Sequence, residues 1–295
     1  YNFLKISKEM GATTALVNGK LSKKSTRRFA FLKLFSKKLF DLFEIVCVQS
    51  QDHLPRFLKV GVPKSKIKVT GNLKLDDDYP EINREELLAW KKELGIGEHD
   101  KVVVIGSTHA PEEALFLEVF QELWQKHPEI KLVIVPRHPE RFEEVANTLQ
   151  SYKVPFTRFS NPRGKHGDEK VILIDAMGLL RKCYQFADIA FVGGSFTDKI
   201  GGHNIVEPCW YGAPTLFGPN MESQPELVRL VKKFGAGIQL PLEKVGNTIQ
   251  ELLYKNPTRQ EKLGEAGLLL AASSKGATKK TCDLLEAVPL LEKRL

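Results

Sequence analysis

The sequence predicts an α/β protein built on parallel β-sheets. Short apolar runs alternate with helical patterns along most of the chain, and several of these runs end in glycine or small polar residues. Such alternation is typical of parallel sheets covered by helices on both faces. The composition, with 42% hydrophobic and 27% charged residues, is that of a globular protein. A chain of 295 residues can form two domains of ordinary size.

The first part of the chain contains three predicted strands and the helices between them. The short apolar runs at 15–17 and 45–48 and the stretch Ile67-Lys68-Val69-Thr70 are predicted to be strands. Apolar residues at helical spacing predict helices over 3–10, 20–40 and 52–60.

The pattern changes at Asp76, where a polar stretch precedes the next helix. We therefore place a domain boundary there and expect one domain over 1–76 and a second over 77–295. The acidic run 76–78 could be a metal-binding carboxylate pair. An exposed linker is favoured instead, because no His-Glu or His-x-x-x-His spacing elsewhere supports a metal site.

The second domain alternates strand and helix throughout. Strands are predicted at 102–105, 132–135, 171–174, 189–192, 215–217 and 238–240. Helices are predicted at 84–94, 112–126, 142–151 and 179–186, with closing helices from about 245 onward. The polar, glycine- and proline-containing segment 161–170 is predicted to be a loop.

The stretch 191–219 contains the strongest indications of a ligand. A buried strand ends at Gly193-Gly194, and a second glycine pair precedes His203, Asn204 and Glu207. Glycines let a backbone approach a ligand closely, and a helix beginning near 205 would offer free N–H groups to a phosphate. A carboxylate one turn later is suited to the hydroxyls of a ribose. The alternative is an ordinary β–α connection with structural glycines and a surface glutamate.

The carboxyl ends of the predicted strands should meet at one edge of the sheet, where ligands of such folds gather. Arg137, at one of these ends, could pair with a phosphate or hydrogen-bond a base. His138 and His203 are candidate acid or base catalysts, although an orienting role for these histidines is favoured. The other residues at these ends include Ser107, Thr108, His109, Asp175, Met177, Gly178, Gly193, Gly194, Ser195, Gly218 and Pro219.

The net charge of +8 is concentrated in one segment. Eight lysines and arginines lie between Lys20 and Phe40, with no acidic residue among them, so the remaining chain is close to neutral. This distribution argues against a general nucleic-acid-binding surface and indicates one local basic patch. The segment could face an anionic membrane surface, or it could cover a sheet with its phenylalanines in the core; the two can coexist. Cys47, Cys183, Cys209 and Cys282 lack metal or redox spacing and are expected to be unpaired thiols.

Several motifs together resemble the 3-deoxy-D-manno-octulosonic acid (Kdo) transferases of Gram-negative bacteria. They are LVNGKLSKKS, VTGNLKLD, GSTHAPEE, VIVPRHPERF, DAMG, FVGGSF and GGHNIVEP. The resemblance implies a GT-B glycosyltransferase with two Rossmann-like parallel-sheet domains, the first of them incomplete. It also implies transfer of Kdo from CMP-Kdo to the lipid A precursor (lipid IVA) in lipopolysaccharide biosynthesis. This would occur at the cytoplasmic face of the inner membrane, without a metal or other cofactor.

The resemblance assigns roles to particular positions. Lys74 matches a transition-state stabiliser, and a lysine near a departing phosphate is physically reasonable. Leu179 stands where many relatives have Glu, which leaves any role of a carboxylate there in doubt. The nucleotide contacts fall on Pro136, Arg137, Met177, Gly178, Leu179, Asn204, Ile205, Val206 and Glu207, with Ser107, Thr108, His109, Gly193, Gly194, Ser195, Gly202 and His203 in support.

The family's general-base glutamate is expected upstream of Tyr1. The chain alone is therefore expected to bind the nucleotide without transferring sugar efficiently. The resemblance also leaves room for the last helix to pack back on the first domain. Two alternative functions stay open: a GT-B transferase or epimerase that uses a UDP-sugar, and a non-enzymatic module that binds membrane surfaces through the basic segment.

Overall fold

A computed structural model describes residues 1–77, 79–161 and 168–288. Most of the predicted loop 161–170, together with Asp78, lies outside the described residues. The chain divides into two compact units. Among the described residues, the first unit comprises 1–77 and 273–288, and the second comprises 79–161 and 168–272.

The first unit contains a three-stranded parallel sheet in the order β1–β2–β3. The strands are β1 (Ala15–Gly19), β2 (Ile45–Val48) and β3 (Ile67–Val69). The helices that precede and connect them are α1 (Asn2–Glu9), α2 (Lys23–Phe31), α3 (Lys33–Phe40) and α4 (Leu54–Lys59). Every residue of β2 is buried, which explains its uninterrupted apolar sequence.

The predicted single helix over 20–40 is wrong in one respect, because the structure breaks it at Leu32. Leu32 has φ −92° and ψ 44°, outside the helical region, and it separates α2 from α3. The Ser36 hydroxyl donates to the carbonyl of Phe29 at 2.6 Å and so satisfies a backbone acceptor left open by the break. The phenylalanines of this region differ in burial. Phe40 and Phe43 are core residues, whereas Phe31 is 88% exposed.

The last helix, α12 (Ala277–Glu286), belongs to the first unit. Asp76 accepts hydrogen bonds from the backbone N–H groups of Gly276 at 2.7 Å and Thr278 at 2.5 Å, at the beginning of α12. Burial raises the pKa of Asp76, but these N–H groups and Lys275 together have the larger, opposite effect. The pKa of Asp76 is therefore below its ordinary value. Asp76 thus caps a helix that lies 200 residues further along the chain.

The second unit contains a seven-stranded sheet in the order β10–β9–β8–β4–β5–β7–β6, with every pair parallel. The strands are β4 (Lys101–Thr108), β5 (Ile130–Pro136), β6 (Phe156–Arg158), β7 (Val171–Leu173), β8 (Ile189–Val192), β9 (Thr215–Phe217) and β10 (Gly237–Gln239). The six predicted strands are confirmed. The edge strand β6 was missed, since three residues of mixed polarity give no periodic signal.

Helices cover both faces of this sheet. They are α5 (Arg84–Glu93), α6 (Glu112–Lys126), α7 (Phe142–Ser151), α8 (Leu180–Tyr184), α9 (Pro225–Phe234), α10 (Val245–Gln250) and α11 (Pro257–Ser274). Val103 and Ile105 pack in one core cluster while their neighbours Val102 and Val104 pack in another. Successive side chains of a strand point to opposite faces, so both faces of β4 are buried. This double burial is why the strand has a continuous apolar run.

The strand order creates a switch point beside β4. The chain continues from β4 to β5 on one side, and later returns to place β8 on the other side. In open parallel sheets, ligands bind at the carboxyl ends of strands where the order reverses. The loops that follow β4 and β8 therefore border the expected binding crevice of this unit. No helix within the described ranges is both long and apolar enough to cross a bilayer.

Candidate functional site

Glu112 holds together the two loops at the switch point. Its carboxylate accepts hydrogen bonds from the backbone N–H groups of His109 at 3.0 Å, Gly194 at 2.8 Å and Phe196 at 2.9 Å. The residue is fully buried. Burial raises the pKa of Glu112 even though these N–H groups stabilise the ionised form. One side chain in the first turn of α6 thus fixes the loop after β4 against the loop after β8.

The glycine pair after β8 is needed because the backbone of the loop after β4 passes very close to it. A Cβ at Gly193 would lie 2.6 Å from the carbonyl oxygen of Ser107, and Gly194 has a φ of +67°. Ser195 is buried, and its hydroxyl donates to the carbonyl of Val192 and accepts from the N–H of Gly218 at 2.8 Å. The predicted supporting positions of this loop are therefore structural: they set the path of the backbone at the crevice.

Three histidines from three different loops meet beside these glycines. Nε2 of His109 and Nε2 of His203 are 2.8 Å apart, and the two rings stack with centroids 5.0 Å apart. The ring of His138 lies edge-on to that of His109 at 5.3 Å. Burial, His109, Arg137 and His138 lower the pKa of His203 to about 4, so it is neutral at pH 7. A ring nitrogen already shared between two imidazoles is poorly placed as a catalytic base, so the geometry favours loop orientation.

Arg137 follows β5 at the same edge of the sheet. Its backbone N–H donates to the carbonyl of Thr108 at 3.2 Å, which places it beside the loop after β4. The residue is exposed, and the described part of the chain gives its guanidinium no hydrogen bond or ion pair. Its neighbour Arg141 is fixed instead, by a bidentate pair with the buried Glu113 at 2.7 and 3.1 Å. The loop is therefore anchored while the Arg137 cation is available to an anion.

The segment 177–179 follows β7 and leads into α8. Met177 is 58% exposed, and Gly178 has a φ of +82°. Leu179 packs partly against a core cluster, which explains why an apolar side chain suits this position. The preceding Asp175 is buried, accepts from Arg158 Nε at 2.7 Å and from the backbone N–H of Ser160 at 2.8 Å, and so anchors the segment.

The helix predicted to begin near 205 is shorter than expected. Residues 205–207 form a turn, and Pro208–Tyr211 is one turn of 3₁₀ helix that ends at Gly212, whose φ is +67°. Ile205 and Val206 are fully buried, so they can offer a ligand backbone atoms only. Asn204 Oδ1 accepts from the N–H of Val206 at 3.1 Å, and Gly202 N–H donates to the carbonyl of Gly194 at 2.8 Å.

Glu207, the candidate ribose ligand, is paired with a residue that the sequence analysis did not single out. Arg181 Nε donates to Glu207 Oε1 at 2.8 Å, and the guanidinium carbon of Arg181 lies 4.6 Å from the ring centroid of Tyr79. Glu112, Arg141 and Arg158 were missed as well. For Glu112 the sequence did offer a signal. Two glutamates follow His109-Ala110-Pro111, and acidic residues are common in the first turn of a helix.

Lys74, the candidate transition-state stabiliser, lies in the first unit. It is exposed, in a 3₁₀ turn (Leu73–Leu75) that follows β3. Asn72 Oδ1 accepts from the N–H of Lys74 at 3.1 Å, and Asn18 Oδ1 accepts from the N–H of Leu73 at 3.2 Å. The asparagine side chains therefore fix the backbone of this turn. Over the ranges that the structure describes, no group of three His, Cys, Asp or Glu residues could hold a metal ion.

Comparison with known proteins decides the family. The family model for 3-deoxy-D-manno-octulosonic-acid transferase (kdotransferase) matches residues 1–77. The Kdo transferase of Chlamydophila psittaci is 34% identical over 96% of this chain and 64% of its own length. That of Haemophilus influenzae is 31% identical over 95% of this chain and 65% of its own length. The chain belongs to the Kdo transferase family.

Solved structures include one that supports this family assignment and another that is similar in fold. The C-terminal CMP-Kdo binding domain of WaaA from Acinetobacter baumannii is 30% identical, with a TM-score of 0.59 over 63% of this chain and 96% of that domain. HepE from Anabaena, solved with UDP, has a TM-score of 0.61 at 14% identity over 96% of this chain and 74% of HepE. The second likeness concerns the fold alone, which is the Rossmann-like fold of GT-B glycosyltransferases. The chain spans just under two thirds of the length of the two curated relatives above.

Proposed function

We propose that the protein transfers Kdo from CMP-Kdo to the lipid A precursor in lipopolysaccharide biosynthesis, and that the second unit binds the CMP moiety. The observation that carries this proposal is the similarity of 63% of this chain to a domain named for CMP-Kdo binding, at 30% identity over almost all of that domain. The curated relatives named as Kdo transferases support the same reaction.

The strand ends of the second unit offer groups suited to a nucleotide. Arg137 supplies an exposed cation for the phosphate, and Glu207 supplies a carboxylate for the ribose hydroxyls. The backbone of 177–179 and 204–206 can contact the base and the sugar, because buried side chains at 205 and 206 hold the main chain in place. Pro136, Arg137, Met177, Gly178, Leu179 and Asn204 to Glu207 are the proposed nucleotide contacts.

Lys74 is the proposed stabiliser of the negative charge that develops on the departing CMP. An ammonium group on an exposed turn with a fixed backbone can stabilise negative charge that develops near it. The resemblance implies transfer without a metal, and Arg137 and Lys74 would then neutralise the charge. A Lys74→Ala variant of the natural full-length protein should lose kcat while CMP binding is unchanged; a loss of binding alone would contradict this role. Full activity in the presence of excess EDTA is expected as well.

The first unit is proposed to rest on an anionic membrane surface through α1, α2 and α3. All eight basic residues between 20 and 38 are exposed. Phe3, Phe31 and Leu34 are 81%, 88% and 83% exposed, and the Tyr1 and Phe35 rings are 5.9 Å apart, so α1 adjoins α3. Exposed apolar side chains among basic ones suit the interface of an anionic bilayer, such as the cytoplasmic face of a bacterial inner membrane.

Calorimetric titration of the chain with CMP and with UDP tests the nucleotide proposal. We expect CMP to bind more tightly than UDP, and Arg137→Ala and Glu207→Ala to lose about 1–3 kcal/mol of CMP affinity, as for a hydrogen bond to a charged group. Arg229→Ala, an exposed arginine on α9, is the matched control and should bind as the parent does. Preference for UDP would instead indicate an enzyme that uses UDP-sugars.

Vesicle flotation tests the membrane proposal. The chain should float with vesicles that contain phosphatidylglycerol and stay behind with pure phosphatidylcholine. Leu34→Ser should weaken the association, whereas Leu88→Ser, an exposed leucine of the second unit, should not. Equal binding by both variants would mean that another surface contacts the lipid. A non-enzymatic membrane module would bind vesicles without any affinity for CMP.

A further inference from the structure

We propose that Arg181 is a positioning residue that holds Glu207 for the ribose, and that it thereby sets the preference for a nucleotide that carries the 2′- and 3′-hydroxyls over one that lacks both. This inference rests on the proposed function, because it concerns how the proposed CMP site recognises its sugar. It adds a residue that neither the motifs nor the resemblance assigned.

The contact between the two side chains is specific to one oxygen. Arg181 Nε donates to Oε1 of Glu207 at 2.8 Å, and no other described residue donates to this carboxylate. The Glu207 side chain is 20% exposed, so it is mostly enclosed but still reachable by a ligand. A carboxylate has about four lone-pair sites, and one hydrogen bond leaves Oε2 and part of Oε1 available. Two neighbouring ribose hydroxyls could donate to these oxygens.

Arg181 is itself held in place. It lies in the first turn of α8, and its guanidinium carbon is 4.6 Å from the ring centroid of Tyr79. A guanidinium over an aromatic face is restricted in orientation by cation–π attraction. The side chain is 38% exposed, so it is only partly screened from solvent. Arg181 thus presents a donor in a defined direction.

The pair also connects two proposed nucleotide-binding segments. Arg181 comes two residues after Leu179, and Glu207 is the last residue of the segment 204–207. The segments are joined here by side chains that are 26 residues apart in sequence. Without the arginine, the three-torsion side chain of Glu207 would sample several rotamers and its acceptors would lose their alignment. Affinity gained from the ribose hydroxyls would fall, whereas contacts to base and phosphate would remain.

Calorimetry with two nucleotides separates this role from others. The chain and its variants Arg181→Ala, Arg181→Lys and Glu207→Ala are titrated with CMP and with 2′,3′-dideoxy-CMP. The parent should prefer CMP by about 10- to 100-fold, the ratio expected for hydrogen bonds to a charged group. Arg181→Ala should reduce this ratio to the value of Glu207→Ala by weakening CMP alone. Arg181→Lys should restore part of the ratio, because it retains a cationic donor.

Lys182→Ala is the matched control. Lys182 is the next residue of α8, its ammonium group lies 4.9 Å from the ring of Trp90, and its removal should leave the ratio unchanged. Thermal melting of each variant reports on folding. A ratio preserved in Arg181→Ala but lost in Glu207→Ala would overturn the inference and leave the ribose assignment intact. Equal weakening of both nucleotides in Arg181→Ala would mean direct phosphate binding. A ratio preserved in Glu207→Ala would overturn the ribose assignment itself.

Discussion

Replacing Glu112 should destabilise the second unit more than any exposed glutamate does. The carboxylate accepts three backbone N–H groups from two loops, and the side chain is fully buried. A buried donor left without an acceptor costs about 1–3 kcal/mol, so the upper bound for three donors is roughly 9 kcal/mol. The hydrogen bond from Gly194 is buried, whereas those from His109 and Phe196 are part-buried, and water that enters the vacated space can satisfy part of the loss. We therefore expect Glu112→Ala to lower the free energy of unfolding by about 3–5 kcal/mol.

Glu112→Gln provides a graded comparison. Oε2 accepts from both His109 and Gly194, whereas Oε1 accepts only from Phe196. The glutamine oxygen can serve the two donors, but its amide group then faces the N–H of Phe196, so one hydrogen bond is lost. A cost of about 1–3 kcal/mol follows.

Urea denaturation of the parent, both variants and Glu122→Ala would measure these differences. Glu122 is an exposed residue of the same helix, so its removal should change stability by less than about 0.5 kcal/mol. Thermal melting should agree, at roughly 2–4 °C per kcal/mol for a unit of this size. If Glu112→Ala unfolds at the same urea concentration as Glu122→Ala, or if Glu112→Gln costs more than Glu112→Ala, the three hydrogen bonds of this carboxylate do not stabilise the unit.

Three further predictions concern other contacts. The pKa of His203 is about 4 in the folded protein against an ordinary 6.5, so between these pH values the unfolded chain binds a proton that the folded protein does not. The free energy of unfolding should therefore fall by about 1–2 kcal/mol as the pH drops from 6.5 to 4, a value that allows for partial solvent screening. His203→Gln should show a flatter stability profile over that range, and parallel profiles would contradict this origin. Gly193→Ala should lower the free energy of unfolding, measured in urea, by about 1–3 kcal/mol, because its Cβ would lie 2.6 Å from the carbonyl oxygen of Ser107. Gly246→Ala should not destabilise the protein, because its Cβ would lie 3.4 Å from Cγ1 of Val119. Asp76→Ala should remove the cap of α12 at a cost of about 0.5–2 kcal/mol and speed amide exchange in that helix, and unchanged exchange would argue against the cap.

The sequence could predict those features that depend on neighbouring residues. The strand 189–192 and the helices 112–126 and 142–151 have the predicted bounds, because burial on a sheet face or along a helix imposes a local period. The break at Leu32 could not be predicted, since the apolar spacing continues through it and only packing separates α2 from α3. The edge strand β6 was hidden for the opposite reason: it is too short to show a period.

The candidate site divides in the same way. The glycines after β8 and the carboxylate of Glu207 could be singled out from their types and spacing alone, although the structure gives the glycines a structural role and the ribose contact of Glu207 stays a prediction. Their partners could not be singled out, because His109 meets His203 across 94 residues and Asp76 meets Gly276 across 200. Such pairs exist only once the strand order places β4 beside β8, or the last helix beside the first sheet. By itself the sequence determined the elements and the chemistry at their ends, and the tertiary structure decided which of these groups meet, since non-local contacts depend on how the elements pack.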